Sequence, residues 1–101
     1  LRAVEAAPDD PQILNDAGVI YGFHLGQPKK AEDLYRRAVA AGVALGYTDG
    51  SENIGYRDSV NNLTQMLISQ KRWKDLIALA DLIPEDFRAA GIRKTGQKKG
   101  K

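Results

Sequence analysis

Residues able to carry acid–base or metal chemistry are few in this 101-residue chain. His24 is the single histidine and there is no cysteine, which excludes a histidine–cysteine zinc site and a thiolate nucleophile. Asp49, Glu52 and Asn53 surround Gly50, but the alternating oxygen ligands and closing glutamate of a calcium loop are missing. Phosphate-binding glycine loops and nucleophile elbows are also missing. The sequence therefore predicts no enzyme activity, no catalytic residue, no metal and no cofactor; we expect a helix-end position for the histidine and a hydrated turn around the glycine.

Positive charge is concentrated at the C-terminus. Five of the 15 basic residues follow residue 92, which leaves 10 basic residues against 13 acidic residues in 1–92. Such a run can contact phosphates, but no aromatic side chains alternate with it for base stacking. We expect a disordered, solubilising tail over residues 92–101, because glycine, lysine and glutamine dominate it. Weak, salt-sensitive nucleic-acid binding through this tail stays open as an alternative, although nucleic acid is not the expected partner.

Helical periodicity organises the rest of the chain. Asp10 is suited to cap a helix that begins at Pro11, and Gly26-Gln27-Pro28 ends this helix and opens a second one. Small and apolar residues recur at helical spacing in both segments, which predicts a helical hairpin. The predicted inward faces consist of Leu14, Ala17, Gly18, Tyr21 and Leu25 in the first helix and of Ala31, Leu34, Tyr35, Ala38 and Val39 in the second.

A second hairpin is predicted after a glycine-rich connector. The connector, Gly42–Tyr56, reads as an extended helix end plus a surface loop. A turn at residues 69–71 separates the next two helices, and Pro84 ends the second of them. Residues 84–91 are expected to form a short helix capped by Gly91, with an apolar anchor at Phe87. The predicted inward faces here consist of Val60, Leu63, Thr64 and Leu67, followed by Trp73, Leu76, Ile77 and Ala80.

The first hairpin resembles the tetratricopeptide repeat (TPR), whose signature alternates small and large residues over a period of about 34 residues. Ala17-Gly18 stands at the Leu-Gly position, Tyr21 at the Tyr position, and Ala31 with Tyr35 at the Ala-x3-Phe pair. The segment 30–42 is also similar to the Sel-type relatives of these repeats. This resemblance implies an all-α fold, a right-handed α-α superhelix of stacked helical hairpins.

The resemblance also implies a domain organisation, which extends over most of the chain. It predicts one helical repeat domain over residues 1–91, followed by the tail at 92–101. Its parts are the end of a truncated repeat (1–8), a repeat (9–45), a divergent repeat (57–83) and a short capping helix (84–91).

Members of this family bind partners on the concave face that the first helix of each hairpin lines. Amide side chains on that face suit a peptide ligand, since they donate to and accept from a peptide backbone. A clamp for a chaperone's terminal carboxylate is not expected, because Asp58 and Asn61 stand where cations would help and Asp16 is acidic. The groove positions implied by the resemblance are Gln12, Asn15, Asp16, Val19, Asp58, Asn61, Asn62 and Gln65.

We therefore expect a non-enzymatic protein–protein interaction scaffold that binds a protein or peptide partner. No run approaches the ~20 apolar residues of a membrane helix, so no membrane partner is expected. A cytoplasmic location is expected from the missing signal peptide and cysteines, and the apolar residues within 1–7 leave self-association open. An alternative assignment is a regulatory or targeting domain of a larger enzyme.

Overall fold

The computed structural model describes residues 9–48 and 53–100, and these residues contain helices and turns but no strand. This confirms the all-α class. Stacking into a right-handed superhelix stays a prediction. The helices are α1 (Pro11–Val19), which continues into a π-helical turn (Ile20–His24), α2 (Pro28–Ala44), α3 (Ile54–Ser69), α4 (Trp73–Leu82) and α5 (Ala89–Lys99).

Packing follows the chain order with one addition. Each helix contacts the next one along the chain, and α1 also lies directly against α3. The predicted cap is confirmed, since the Asp10 carboxylate accepts hydrogen bonds from the backbone N–H groups of Gln12 and Ile13. All five predicted inward residues of α2 are buried. Together with apolar residues of α3, α4 and α5, α2 therefore forms the centre of the core.

The π-helical turn changes the face on which the last residues of the first helical segment lie. Its hydrogen bond joins the Leu25 N–H to the Ile20 carbonyl, five residues back, at 3.0 Å. The turn thus contains more residues than an α-helical turn, and the following side chains rotate relative to the α-helical face. Leu25, predicted to face inward, is 52% exposed for this reason.

Three interhelical turns each place one residue in the left-handed region. Two of them use glycine, at Gly26 with φ 61° and at Gly46 with φ 84°. The third places Lys71 there, with φ 56°. The Lys71 N–H bonds to the Ile68 carbonyl and the next N–H bonds to the Leu67 carbonyl, so the turn is a Schellman motif whose glycine position holds a lysine.

Lys71→Gly is expected to raise the free energy of unfolding by about 0.5–1 kcal/mol. A side chain in the left-handed region costs about 1–2 kcal/mol, part of which the greater freedom of glycine in the unfolded chain offsets. Thermal denaturation followed by circular dichroism measures the change. The matched control is Lys94→Gly in the exposed middle of α5, which should lose about 0.5–1 kcal/mol. Destabilisation by both variants would contradict the left-handed assignment.

The C-terminal segment differs from the expected disordered tail, because α5 extends over Ala89–Lys99. Ala89, Ile92 and Gly96 follow each other at helical spacing and all are buried. The expected anchor, Phe87, is instead 74% exposed and precedes the helix. Gly91, the predicted cap, lies inside α5. Large apolar residues are scarce in this segment and its packing face is made mainly of small ones, so the sequence did not indicate a packed helix.

Close approach of α5 to α4 explains why small residues suffice. A Cβ atom at Gly96 would lie 3.1 Å from the backbone oxygen of Trp73, and one at Gly100 would lie 3.1 Å from the Trp73 Cβ. Trp73, predicted to face inward, therefore contacts α5 as well as the core. Arg93, counted as part of the free tail, forms an ion pair with Asp81 of α4.

The connector between the hairpins is partly as predicted. The helix end is extended, since α2 reaches Ala44. However, α3 begins at Ile54, so Tyr56 belongs to a helix and is fully buried. Its ring packs on Gly42, where a Cβ atom would lie 2.2 Å from the Tyr56 Cδ1. The predicted hydrated turn falls on residues 49–52, and the truncated repeat on residues 1–8; both lie outside the described residues.

Two further observations concern the residues that the structure describes. None of their helices is both long enough and apolar enough to cross a membrane. Residues 9–48 and 53–100 also contain no group of three or more His, Cys, Asp or Glu side chains placed to hold a metal ion. His24 lies at the end of the π-helical turn and is exposed, which agrees with its predicted helix-end position.

Candidate binding cleft between α1 and α3

Helices α1 and α3 run in the same direction and meet at their N-terminal ends. Gly55 of α3 lies against the backbone of Gln12, and a Cβ atom there would lie 2.3 Å from the Gln12 Cα and 2.4 Å from its nitrogen. Only a residue without a side chain permits this approach. The glycine therefore sets the closest point between the two helices.

A hydrogen-bonded group of polar residues joins the middle of the two helices. Asn15 is only 4% exposed, and its Oδ1 accepts hydrogen bonds from Ser59 Oγ at 3.0 Å and from Asn62 Nδ2 at 3.1 Å. Asn15, predicted to be a groove position, is instead buried between the two helices. The residue is an interhelical contact, because its buried amide oxygen is satisfied by α3.

Beyond this contact the helices diverge and leave an open cleft of about 340 Å³. We call it the α1–α3 cleft. One wall comes from the π-helical turn and the start of α2, the other from the C-terminal half of α3. It is lined by Gly22, Phe23, Pro28, Tyr35, Asn62, Gln65, Met66, Ser69 and Gln70.

Gly22, in the π-helical turn, leaves the inner end of the cleft open. At Gly22 a Cβ atom would lie 3.2 Å from the Ala31 Cβ and 3.9 Å from the Tyr35 hydroxyl, so the missing side chain leaves the Tyr35 end accessible. The adjacent Phe23 is 77% exposed at the edge. The result is a cleft with an apolar floor and edge and a wall of amide and hydroxyl groups.

No charged side chain occurs among the described residues that line the cleft. Next to the lining residue Gln70, Arg72 bonds to Glu32 of α2, with 2.9 Å between Nη2 and Oε2, and to Asp75, with 2.8 Å between Nε and Oδ2. The hydrogen bond from Arg72 keeps the pKa of Glu32 below its usual range, so the carboxylate stays ionised. The ion pair between Arg72 and Glu32 therefore carries no net charge. Arg72 also donates to the Gln70 side chain at 3.0 Å, which orients one cleft residue.

Two of the eight predicted groove residues, Asn62 and Gln65, line the cleft. The other six lie elsewhere. Gln12 donates to Asp16 at 2.9 Å on the outer surface of α1, and Val19 is half-buried against the core. The remaining three are Asn15, already described, Asp58, which pairs with Arg57, and Asn61, which accepts a hydrogen bond from Arg88.

Sequence reasoning missed the apolar half of the cleft. Tyr35 was predicted only as a packing residue, and Phe23 and Met66 were not singled out. Phe23 did carry one signal, since it is a large aromatic residue that matches neither predicted inward face. The π-helical turn that exposes it has no recognised sequence signature in this segment.

No family model, no curated protein and no solved structure matches this chain. The TPR resemblance consequently rests on the residues quoted for it. The side chains of the cleft are apolar, amide and hydroxyl in character, and such groups are suited to ligand binding.

Proposed function

We propose that this protein is an interaction module that binds a peptide segment of a partner protein in the α1–α3 cleft. The observation that carries the proposal is the open, uncharged cleft with an exposed phenylalanine on one side and amide side chains on the other. Aromatic side chains are enriched at protein interfaces, and a concave apolar surface with a few polar groups is the usual form of a binding site.

The amide wall supports a peptide as the ligand. Gln65 and Gln70 are exposed and each can both donate to and accept from a backbone amide. Asn62 donates to Asn15, which fixes the orientation of its amide group. A side chain held in this way loses little further entropy when a ligand binds.

We further propose that α1 with α2 and α3 with α4 are two TPR-like hairpins. Each pair is joined by a short turn with a left-handed residue, at Gly26 in the first and Lys71 in the second. The first helices of the two pairs lie side by side and run in the same direction, since Gly55 contacts Gln12 and the later residues Ser59 and Asn62 bond to Asn15. Stacked hairpins of this kind place their first helices on one common surface, which here contains the cleft.

Phe23→Ala is expected to weaken peptide binding about 10- to 30-fold, as for an aromatic contact that contributes about 1.5–2 kcal/mol to binding. The probe is a fluorescein-labelled peptide enriched from a displayed library of random dodecamers on the immobilised protein, and anisotropy measures its affinity. Gln65→Ala should weaken binding as well, by about threefold to tenfold for a lost hydrogen bond.

The chain offers a matched control in its other phenylalanine. Phe87 is 74% exposed, nearly as exposed as Phe23, but lies before α5 and outside the cleft. Phe87→Ala should leave the affinity unchanged. Two results would refute the proposal: a library that yields no peptide enriched over a blank surface, or equal effects of the two phenylalanine substitutions.

A further inference from the structure

Tyr35 combines a buried ring with a hydroxyl group that opens onto the α1–α3 cleft. The residue is only 2% exposed, and its ring packs against Gly18, where a Cβ atom would lie 2.5 Å from the Tyr35 Cε1. Within residues 9–48 and 53–100, the structure shows no hydrogen bond to the Tyr35 hydroxyl, whose oxygen is not enclosed, since Thr64 Oγ1 is the one buried side-chain nitrogen or oxygen without a partner in that part of the chain. Burial raises the pKa of Tyr35, so the hydroxyl keeps its proton and remains a donor.

The second fully buried tyrosine shows the usual arrangement. The Tyr56 hydroxyl donates to Asp86 Oδ2 at 2.9 Å. Buried phenolic groups generally find such a partner within the protein, whereas the Tyr35 hydroxyl is not enclosed and is open to solvent or to a ligand. Tyr35 lines the α1–α3 cleft, so its missing partner has access from the cleft.

The cleft also restricts the charge of whatever occupies it. A charged side chain placed between Phe23, Met66 and Tyr35 would lose part of its hydration and meet no charged partner among the described residues that line the cleft. An apolar side chain meets compatible surfaces there, and methionine adapts its shape to different contacts. Charge and shape therefore both favour an uncharged, apolar group.

The dimensions of the polar wall fit a short extended segment. Asn62 and Ser69 are seven residues apart on α3, which corresponds to about 10 Å along a helix. An extended chain advances about 3.3 Å per residue, so about three residues span this distance. The cleft volume of about 340 Å³ is close to the lower limit of ligand pockets, about 300 Å³, and agrees with a single anchoring residue.

From these observations we infer that the cleft selects an extended, uncharged peptide segment. One large apolar side chain of this segment occupies the space between Phe23 and Met66, and a backbone carbonyl accepts a hydrogen bond from the Tyr35 hydroxyl. This inference rests on the proposed function and adds the chemistry of the ligand to it. Tyr35 is thereby a specificity-determining residue of the cleft as well as a core residue.

Tyr35→Phe tests the inference, because it removes only the hydroxyl. The thermal midpoint should stay unchanged or rise, since no internal hydrogen bond is lost. The affinity for the library-selected, fluorescein-labelled peptide should fall about fivefold to tenfold, the effect of losing one hydrogen bond. In synthetic versions of the same peptide, replacing the apolar anchor with aspartate or lysine should abolish binding.

Tyr56→Phe is the matched control, and it should give the opposite pattern. It removes the hydrogen bond to Asp86, so the thermal midpoint should fall while the peptide affinity stays within twofold of wild type. The inference is overturned if Tyr35→Phe binds as tightly as wild type, or if the required anchor is charged. The proposed function survives either result as long as Phe23→Ala still weakens binding, whereas a library without enriched peptides removes both.

Discussion

Gly55→Ala is expected to lower the free energy of unfolding by about 3 kcal/mol, the upper part of the range for overpacked sites. The added methyl group would lie 2.3 Å from the Gln12 Cα, 2.4 Å from the Gln12 nitrogen and 2.6 Å from the Pro11 carbonyl carbon. All three are backbone atoms, so no side-chain rotation relieves the overlap. Helices α1 and α3 would have to separate, although alanine itself favours a helix by about 1 kcal/mol over glycine.

The separation has a second cost at the neighbouring polar contact. Ser59 and Asn62 of α3 donate to the buried Asn15 oxygen, and moving the helices apart lengthens both hydrogen bonds. A buried acceptor left without donors costs about 1–3 kcal/mol. The variant should therefore also bind peptide less well, because the α1–α3 cleft is continuous with this contact.

Gly91→Ala provides the matched control for this prediction. Gly91 lies in α5, and a Cβ atom there would meet nothing within 4 Å. The same substitution should therefore stabilise the protein by about 0.5–1 kcal/mol. Urea denaturation followed by circular dichroism compares the two variants. Similar effects at both positions would show that the contact between Gly55 and α1 is not as close as described.

Asp86→Ala is expected to lower the free energy of unfolding by about 3–5 kcal/mol, as when one partner of a buried ion pair is removed. Asp86 is 3% exposed and accepts hydrogen bonds from Tyr56, and from Arg88 through Nη2 at 2.7 Å and Nε at 2.9 Å. Arg88 also donates to the Arg57 carbonyl and to Asn61 of α3. The substitution would leave a largely buried guanidinium and a buried phenol without their acceptor.

The Asp86 carboxylate also makes the free energy of unfolding depend on pH. Burial alone would raise the pKa of Asp86, but hydrogen bonds from Arg88 and Tyr56 outweigh it, so the pKa lies below its ordinary value. A lowered pKa in the folded state means that the carboxylate stabilises the fold fully above about pH 4 and loses this contribution as pH falls further. Asp86→Asn should therefore reduce stability at pH 7 and flatten its decline in acid.

Urea denaturation at pH 7, 5 and 3 measures both effects. Asp58→Asn is the control, because Asp58 pairs with Arg57 on the surface at 3.2 Å with both side chains more than a third exposed. Exposed pairs contribute about 0–1 kcal/mol, so this variant should follow the wild type closely. An Asp86→Asn curve parallel to the wild type across the range would show that the buried carboxylate is not the source of the pH dependence.

The positions of the first four helices could be predicted because their signals are local. Asp10 and Pro11 specify a start, Gly26 specifies an end, and the burial of α2 follows from its periodicity. The start of α5 has no side-chain cap and its inward face has few large apolar residues, so its sequence did not predict a helix. Its inward face includes Gly96, whose contribution depends on how closely Trp73 approaches it.

The candidate site could be predicted only in part. Asn62 and Gln65 follow from the resemblance, which places them on a first helix. The burial of Asn15 did not follow, because helical periodicity shows which face a residue occupies but not which second helix covers that face. The exposure of Phe23 could not be predicted either, because it depends on a π-helical turn.

With one histidine and no cysteine, the sequence has few residues suited to acid–base or metal chemistry. The sequence by itself determined the first four helices, the Asp10 cap and most of their apolar faces, because these depend on residues only a few positions apart. Tertiary structure alone decided where those helices meet and where they separate. Gly55 brings α1 and α3 into backbone contact, Asn15 joins them, and the π-helical turn opens the cleft over Tyr35. The first two depend on distances between residues far apart in the chain, which no local pattern encodes, and the third depends on how the turn lies against α3 and Tyr35.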